Sequence, residues 1–126
     1  MDRIKLGRWG EERAGEYLAD QGLVVREKNF RCKLGEIDLI AMDGECLVFI
    51  EVKTRTSVAY GFPMEAVGRR KQEKYIQMAS VYIKARGLYG VPFRFDIVEV
   101  LTRDYEPPII NHIPNAFQST GGRYYL

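Results

Sequence analysis

Residues 46–55 read Cys46-Leu47-Val48-Phe49-Ile50-Glu51-Val52-Lys53-Thr54-Arg55, or CLVFIEVKTR. The first five residues have the pattern of a buried β-strand. Glu51 and Lys53 then enter with no break in β-propensity, which puts an acid and a base on one face at the end of a core strand. Just upstream, EIDLIAM (36–42) reads as a second strand, and Asp43-Gly44 between them is a strong hairpin signal. If Asp43-Gly44 is a two-residue turn, Met42 faces Glu45, Asp38 faces Phe49 and Glu36 faces Glu51. Strand alternation then sends Glu36, Asp38, Glu51 and Lys53 to one face. Ile37, Leu39, Ala41, Val48, Ile50 and Val52 go to the other, as core. In this register Asp38 and Glu51 are diagonal neighbours about 7–8 Å apart, within side-chain reach of a common point.

Two carboxylates brought to about 5 Å repel by about 3 kcal/mol at an effective dielectric of about 20. A divalent cation turns that repulsion into attraction. Mg²⁺ in particular takes one or two carboxylates together with water and substrate phosphate. A lysine beside such an ion can hold a phosphate or orient water. The competing reading is a surface network in which Lys53 neutralises Glu51.

Outward from the hairpin, residues 5–20 read as a helix with Leu6, Gly10, Ala14, Tyr17 and Leu18 on one side, stopped by Gly22. Glu11 borders that stripe and Glu12 points away from it. Glu11 can therefore face the acidic cluster, or it is simply a boundary residue. LVVREKNF (23–30) is a further strand. A loop with Gly61 and Pro63 leads to a helix over 64–86 that ends at Gly87. Lys71 falls in the Val67/Tyr75/Met78/Tyr82 stripe of that helix, where a lysine either snorkels to solvent or reaches an acidic or phosphate partner. FRFDIVEVL (93–101) is the last strand, with Asp96 expected to pair with a neighbouring base. From Asp104 the prolines Pro107, Pro108 and Pro114 suggest a segment that wraps the surface. The order α-β-β-β-α-β predicts an α/β fold with a central mixed sheet flanked by helices. Residues 1–117 would form a single domain and 118–126 a mobile tail.

The chain has 126 residues, 46% hydrophobic and 29% charged, with net charge +2, ordinary for one globular domain. No apolar run approaches the ~20 residues of a membrane span, and MDRIKLGRWGEE at the N-terminus has no apolar signal core, so the expected location is the cytoplasm, with no membrane partner. Cys32 and Cys46 are too few for a disulfide framework and lack zinc spacing. With His112 as the only histidine and no nucleophile elbow, a Ser-His-Asp relay is excluded as a working hypothesis. Basic residues cluster at Arg3/Lys5/Arg8, at Arg26/Lys28/Arg31/Lys33 and at Arg69/Arg70/Lys71/Lys74. Such clusters are either solvated surface or phosphate contacts.

GEIDLIA (35–41), a short hairpin and LVFIEVKTR (47–55) together resemble the PD-(D/E)xK nuclease core. The whole chain resembles the YraN family of small bacterial proteins. The likeness runs through GRWGEERAGEYLADQG (7–22), NFRCKLGEIDLIA (29–41), VFIEVKTR (48–55), YGFPMEAV (60–67), Lys71, RFDIVEV (94–100) and HIPNAF (112–117). It implies a restriction endonuclease-like fold related to that of Holliday-junction resolvases. It also implies Asp38 and Glu51 as metal ligands for Mg²⁺ or Mn²⁺, Lys53 as the catalytic lysine, Glu11 as the acid of the N-terminal helix, and Glu36 as a structural or outer-sphere acid. The proline of the signature is absent, since Ile37 precedes Asp38.

The expectation is a metal-dependent endonuclease acting on DNA, including branched DNA, with Lys33, Arg55, Arg69, Arg70 and Lys71 gripping flanking phosphates. The alternatives are a non-catalytic nucleic-acid-binding module with a nuclease-like fold, and a protein-interaction domain that uses the Pro-rich segment or RYYL. Resolvases act as symmetric dimers because a junction has two equivalent scissile strands, which extends the expectation to a homodimer. No dimer seam is readable in the sequence.

Overall fold

Cys46–Arg55 is a strand whose first five residues are buried, as the sequence leads one to expect, and Glu51 after them is buried as well. In the computed structural model, which describes residues 2–56 and 68–117, it is the centre of a five-stranded mixed sheet. The elements in chain order are α1 (Arg3–Asp20), β1 (Val24–Cys32), β2 (Gly35–Asp43), β3 (Cys46–Arg55), α2 (Arg69–Arg86), β4 (Phe93–Arg103) and β5 (Glu106–Phe117). The strands lie side by side in sequence order. Only β3 and β4 are parallel, and the crossover between them contains α2.

The strand alternation of β3 and β4 divides the core in two. Leu47 and Phe49 join Phe93, Phe95 and Ile97 in a cluster with Tyr75, Met78, Tyr82 and Ile83 of α2. Val48, Ile50, Val98 and Val100 join Ala14 and Leu18 of α1 in a second cluster. Apolar side chains on both faces are what a continuous apolar run requires. Phe49 anchors the first cluster, with ring centroids 5.8 Å from Tyr82, 5.8 Å from Phe93 and 5.6 Å from Phe95.

Three expectations are corrected. The β2–β3 register is shifted by two residues from the predicted one. Asp43 pairs with Cys46 and Leu39 with Ile50, so the loop is Gly44-Glu45, with Gly44 at φ +59. A left-handed glycine as the first central residue suits a tight hairpin. A two-residue shift leaves every β3 side chain on its expected face, because alternation has a period of two. Ile37, however, packs with the α2 cluster and Leu39 with the α1 cluster, although they are two residues apart. The pleat of β2 therefore breaks at Asp38.

The third correction concerns residues 106–117, which do not wrap the surface but form β5, antiparallel to β4 at the sheet edge. Proline is tolerated there because an edge strand has one side without partners. The register shifts fall where the prolines are: Pro107 and Pro108 lie between the Arg103–Glu106 and Leu101–Ile109 pairs, and Pro114 lies between Ile97–Ile113 and Phe95–Phe117. Buried Asp96 fastens this edge. It accepts from Arg94 Nε (3.0 Å) and from the Asn115 backbone N–H (2.9 Å), and it lies 2.7 Å from His112 Nε2. Burial pushes the Asp96 carboxyl up, but the bonds from His112, Arg94 and Asn115 outweigh it and hold it below the ordinary range. The expected segments 57–67, including YGFPMEAV and the start of the second helix, and 118–126 lie outside the described residues.

α1 approaches β3 closely at Gly10, where a Cβ would come within 1.8 Å of Thr54 Oγ1. Gly10→Ala should therefore cost about 1–3 kcal/mol in chemical denaturation, and adding Thr54→Ala should recover part of that loss. An unchanged denaturation midpoint in Gly10→Ala would mean that α1 does not sit this close.

Candidate active site

The last pair of the β2–β3 ladder is Leu39–Ile50. Beyond it the Asp38 side chain takes over from the backbone: its Oδ2 accepts the Val52 N–H at 2.8 Å. This places Asp38 where the two strands part, and it borders two cavities. One, of about 280 Å³, is also lined by Glu36, Glu51, Lys71, Lys74 and Tyr75. The other, of about 270 Å³, is lined by Arg3, Gly7, Glu11, Val52 and Thr54.

Among the described residues, one carboxylate oxygen from each of Glu11, Glu36 and Asp38 lies within 4.8 Å of the others. Glu11 reaches the group from α1, while Glu12 on the same helix is largely exposed. Asn29 joins the acids: its Nδ2 donates to Glu11 Oε1 (3.0 Å) and to Glu36 Oε1 (2.6 Å). Arg31 Nε donates to Glu36 Oε2 at 2.9 Å. Asn29 holds φ +55, a conformation asparagine tolerates better than most residues. Sequence reasoning missed Asn29, because a lone asparagine in a strand carries no signal of that role.

Glu51 is held differently. Its Oε1 is shared by Lys53 Nζ, 3.0 Å away, and by Lys71 Nζ of α2. Lys71 thus reaches an acidic partner, and Lys53 stands beside Glu51 as the network reading expects. The other oxygen, Oε2, is buried without a hydrogen-bond partner among the described residues. Burial opposes the charge of Lys71, but its bond to Glu51 wins and raises its pKa. Tyr75 is pushed up by burial first and then by the charges of Glu51 and Asp38, so its hydroxyl keeps its proton.

The expected phosphate contacts separate. Lys71 lines the cavity with Asp38 and Glu51, and Lys74 of the same basic cluster lines it too. Lys33 is exposed in the turn between β1 and β2. Arg69 is exposed and stands 3.8 Å from Glu73, and Arg70 beside it is exposed as well. Arg55 departs from expectation: its Nε is 3.3 Å from Glu99 Oε2 in a largely buried pair. The parallel β3–β4 register brings Glu99 opposite Lys53 and diagonal to Arg55, so Arg55 serves the sheet rather than an open surface.

Burial, then the charges of Glu11, Glu51 and Glu36, outweigh the Val52 hydrogen bond and push Asp38 from 3.8 up to about 7. The folded state therefore binds a proton more tightly than the unfolded chain. The stability this gives is fully present below about pH 4 and is lost as pH rises through about 7. With solvent screening it amounts to about 2 kcal/mol. In EDTA the melting temperature should fall by about 5 °C or more between about pH 5 and about pH 8, and Asp38→Asn should remove most of that fall. Equal slopes in the two proteins would show that Asp38 titrates as an ordinary carboxylate.

Residues 10–100 match uncharacterised protein family UPF0102. A UPF0102 protein of Caldanaerobacter subterraneus subsp. tengcongensis is 47% identical over 119 residues, covering 93% of this chain and 98% of its own. One of Trichlorobacter lovleyi is 45% identical over 113 residues, 89% of each chain. One of Caldicellulosiruptor saccharolyticus is 42% identical over 118 residues, 93% of this chain and 100% of its own. The family match over residues 10–100 includes Glu11, Asp38, Glu51 and Lys71, and the chain belongs to the UPF0102 family.

Proposed function

We propose that the chain is a divalent-metal-dependent endonuclease that hydrolyses DNA phosphodiester bonds, with branched DNA in its substrate range. The observation that carries this reading is the meeting of Glu11, Glu36 and Asp38 where β2 leaves β3, next to a cavity that Asp38 shares with Glu51 and Lys71. The donor set suits a hard cation such as Mg²⁺ or Mn²⁺: the oxygens offered are carboxylates, with no histidine or cysteine among them. Glu51 Oε2, which has no hydrogen-bond partner among the described residues, is a further oxygen of the same kind. Asp38 and Glu51 would hold the ion, with Glu11 and Glu36 joining directly or through water. When bound, such an ion acts as a Lewis acid and makes water a stronger nucleophile at neutral pH.

The chain's own residues do the rest. The Val52 N–H fixes one Asp38 oxygen and leaves the other for coordination. Asn29 orients Glu11 and Glu36 toward each other, so their repulsion is balanced before any ligand arrives. Lys53 and Lys71 both stand against Glu51 Oε1, where they can hold the oxygens of the scissile phosphate and orient the attacking water. Hydrolysis then joins water oxygen to phosphorus and breaks the bond to the departing sugar oxygen, which takes up a proton.

One observation favours the second reading, a non-catalytic nucleic-acid-binding module. Two lysines already neutralise Glu51 without an added cation. The two readings separate on a panel of labelled duplex, flap and four-way-junction DNAs in EDTA, Mg²⁺ and Mn²⁺. Wild type should cut in the metals only, and Glu51→Ala or Lys53→Ala should lose at least about 100-fold in rate. Binding with no product in either metal would favour the module. Equal cutting by both variants would trace the activity to a contaminant.

A further inference from the structure

Gly7 lies inside α1 with open space above it, since a Cβ built there meets nothing within 4 Å. A glycine in a helix interior costs about 1 kcal/mol relative to alanine, and packing offers no reason for it here, in contrast to Gly10. Arg3, Gly7 and Glu11 follow at i, i+4 spacing, so they form one row on the helix surface. The missing side chain leaves a gap between a cation and a carboxylate of the candidate site.

That gap borders two cavities. One is the 270 Å³ space that reaches Asp38. The other, of about 550 Å³, is walled by Arg3, Arg8, Glu11, Asn29, Arg31 and Glu36. Arg3 and Arg8 are exposed and enter no ion pair among the described residues. Arg31 is tied to Glu36, which holds it against the acidic cluster. The N-terminus of α1 is capped by the Asp2 carboxylate, which accepts the Lys5 N–H at 2.8 Å, so the cations Arg3 and Arg8 are the groups left to meet an anion on this face. Lys71 and Lys74 border the cavity that Asp38 shares with Glu51, so the carboxylates are flanked by cations on two sides.

We propose that the groove over Gly7, walled by Arg3, Arg8 and Arg31, seats the backbone phosphate next to the scissile one. The inference rests on the nuclease reading and assigns one end of its DNA track to α1. The strand's sugar-phosphate fills the space where Gly7 has no side chain, and the arginines contact its phosphate oxygens.

Binding of a fluorescein-labelled DNA with a duplex and a single-stranded arm tests this, measured by anisotropy in Ca²⁺ over a range of salt. Gly7→Leu should melt at or above the wild-type temperature yet bind at least about tenfold more weakly. Arg3→Gln/Arg8→Gln should reduce the slope of log K against log salt by about 0.7 to 0.9, the change for one lost phosphate contact. Wild-type binding with unchanged affinity in Gly7→Leu and unchanged slope in the double variant overturns this inference alone. If Gly7→Leu melts lower, the salt slope of the double variant decides. No binding by the wild type overturns the nuclease reading and this inference together.

Discussion

The hydrogen bond from the Val52 N–H to Asp38 ends one ladder and begins the site. β3 is held by apolar side chains on both faces and by parallel pairing to β4 along its length. It cannot follow β2 as β2 turns away. A backbone donor is thereby left without its strand partner, and the Asp38 carboxylate accepts it. A side chain that does the work of a backbone carbonyl is fixed in position as firmly as the sheet itself. Ile37 and Leu39, packed into different clusters, show that the pleat breaks at this residue.

The electrostatic consequence follows from the packing. Gly10 lets α1 settle against Thr54, which brings Glu11 to Asp38 and Glu36. The fold uses three devices to sustain the crowding: the Asn29 amide between two acids, the Arg31 guanidinium on Glu36, and a proton on Asp38 held to about pH 7. Glu51 has its own pair of lysines. The two sets of acids are thus compensated by different means. The set around Asp38, compensated in part by a proton, is the one a cation would relieve most.

The sequence carried much of this. The buried run, the hairpin and the face of Glu51 and Lys53 were legible because strand alternation depends only on parity, which a two-residue register error preserves. Glu11 was legible from its place on the helix stripe. β5 was not, because three prolines argue against a strand unless one knows that it lies at an edge and that its register shifts absorb them. The inward turn of Arg55 depends on a parallel register with β4 that no local pattern encodes. The role of Asn29 depends on a positive φ and on contacts from two other elements.

The proposed function requires Asp38 to gather a cation site, which a proton would fill in the cation's absence. Calorimetric titration of the wild type with Mn²⁺ at about pH 6, in buffers of different ionisation enthalpy, counts protons released per ion bound. The account predicts saturable binding with release approaching one proton, and loss of both in Asp38→Asn. Binding that releases no proton, or that survives Asp38→Asn undiminished, would contradict it.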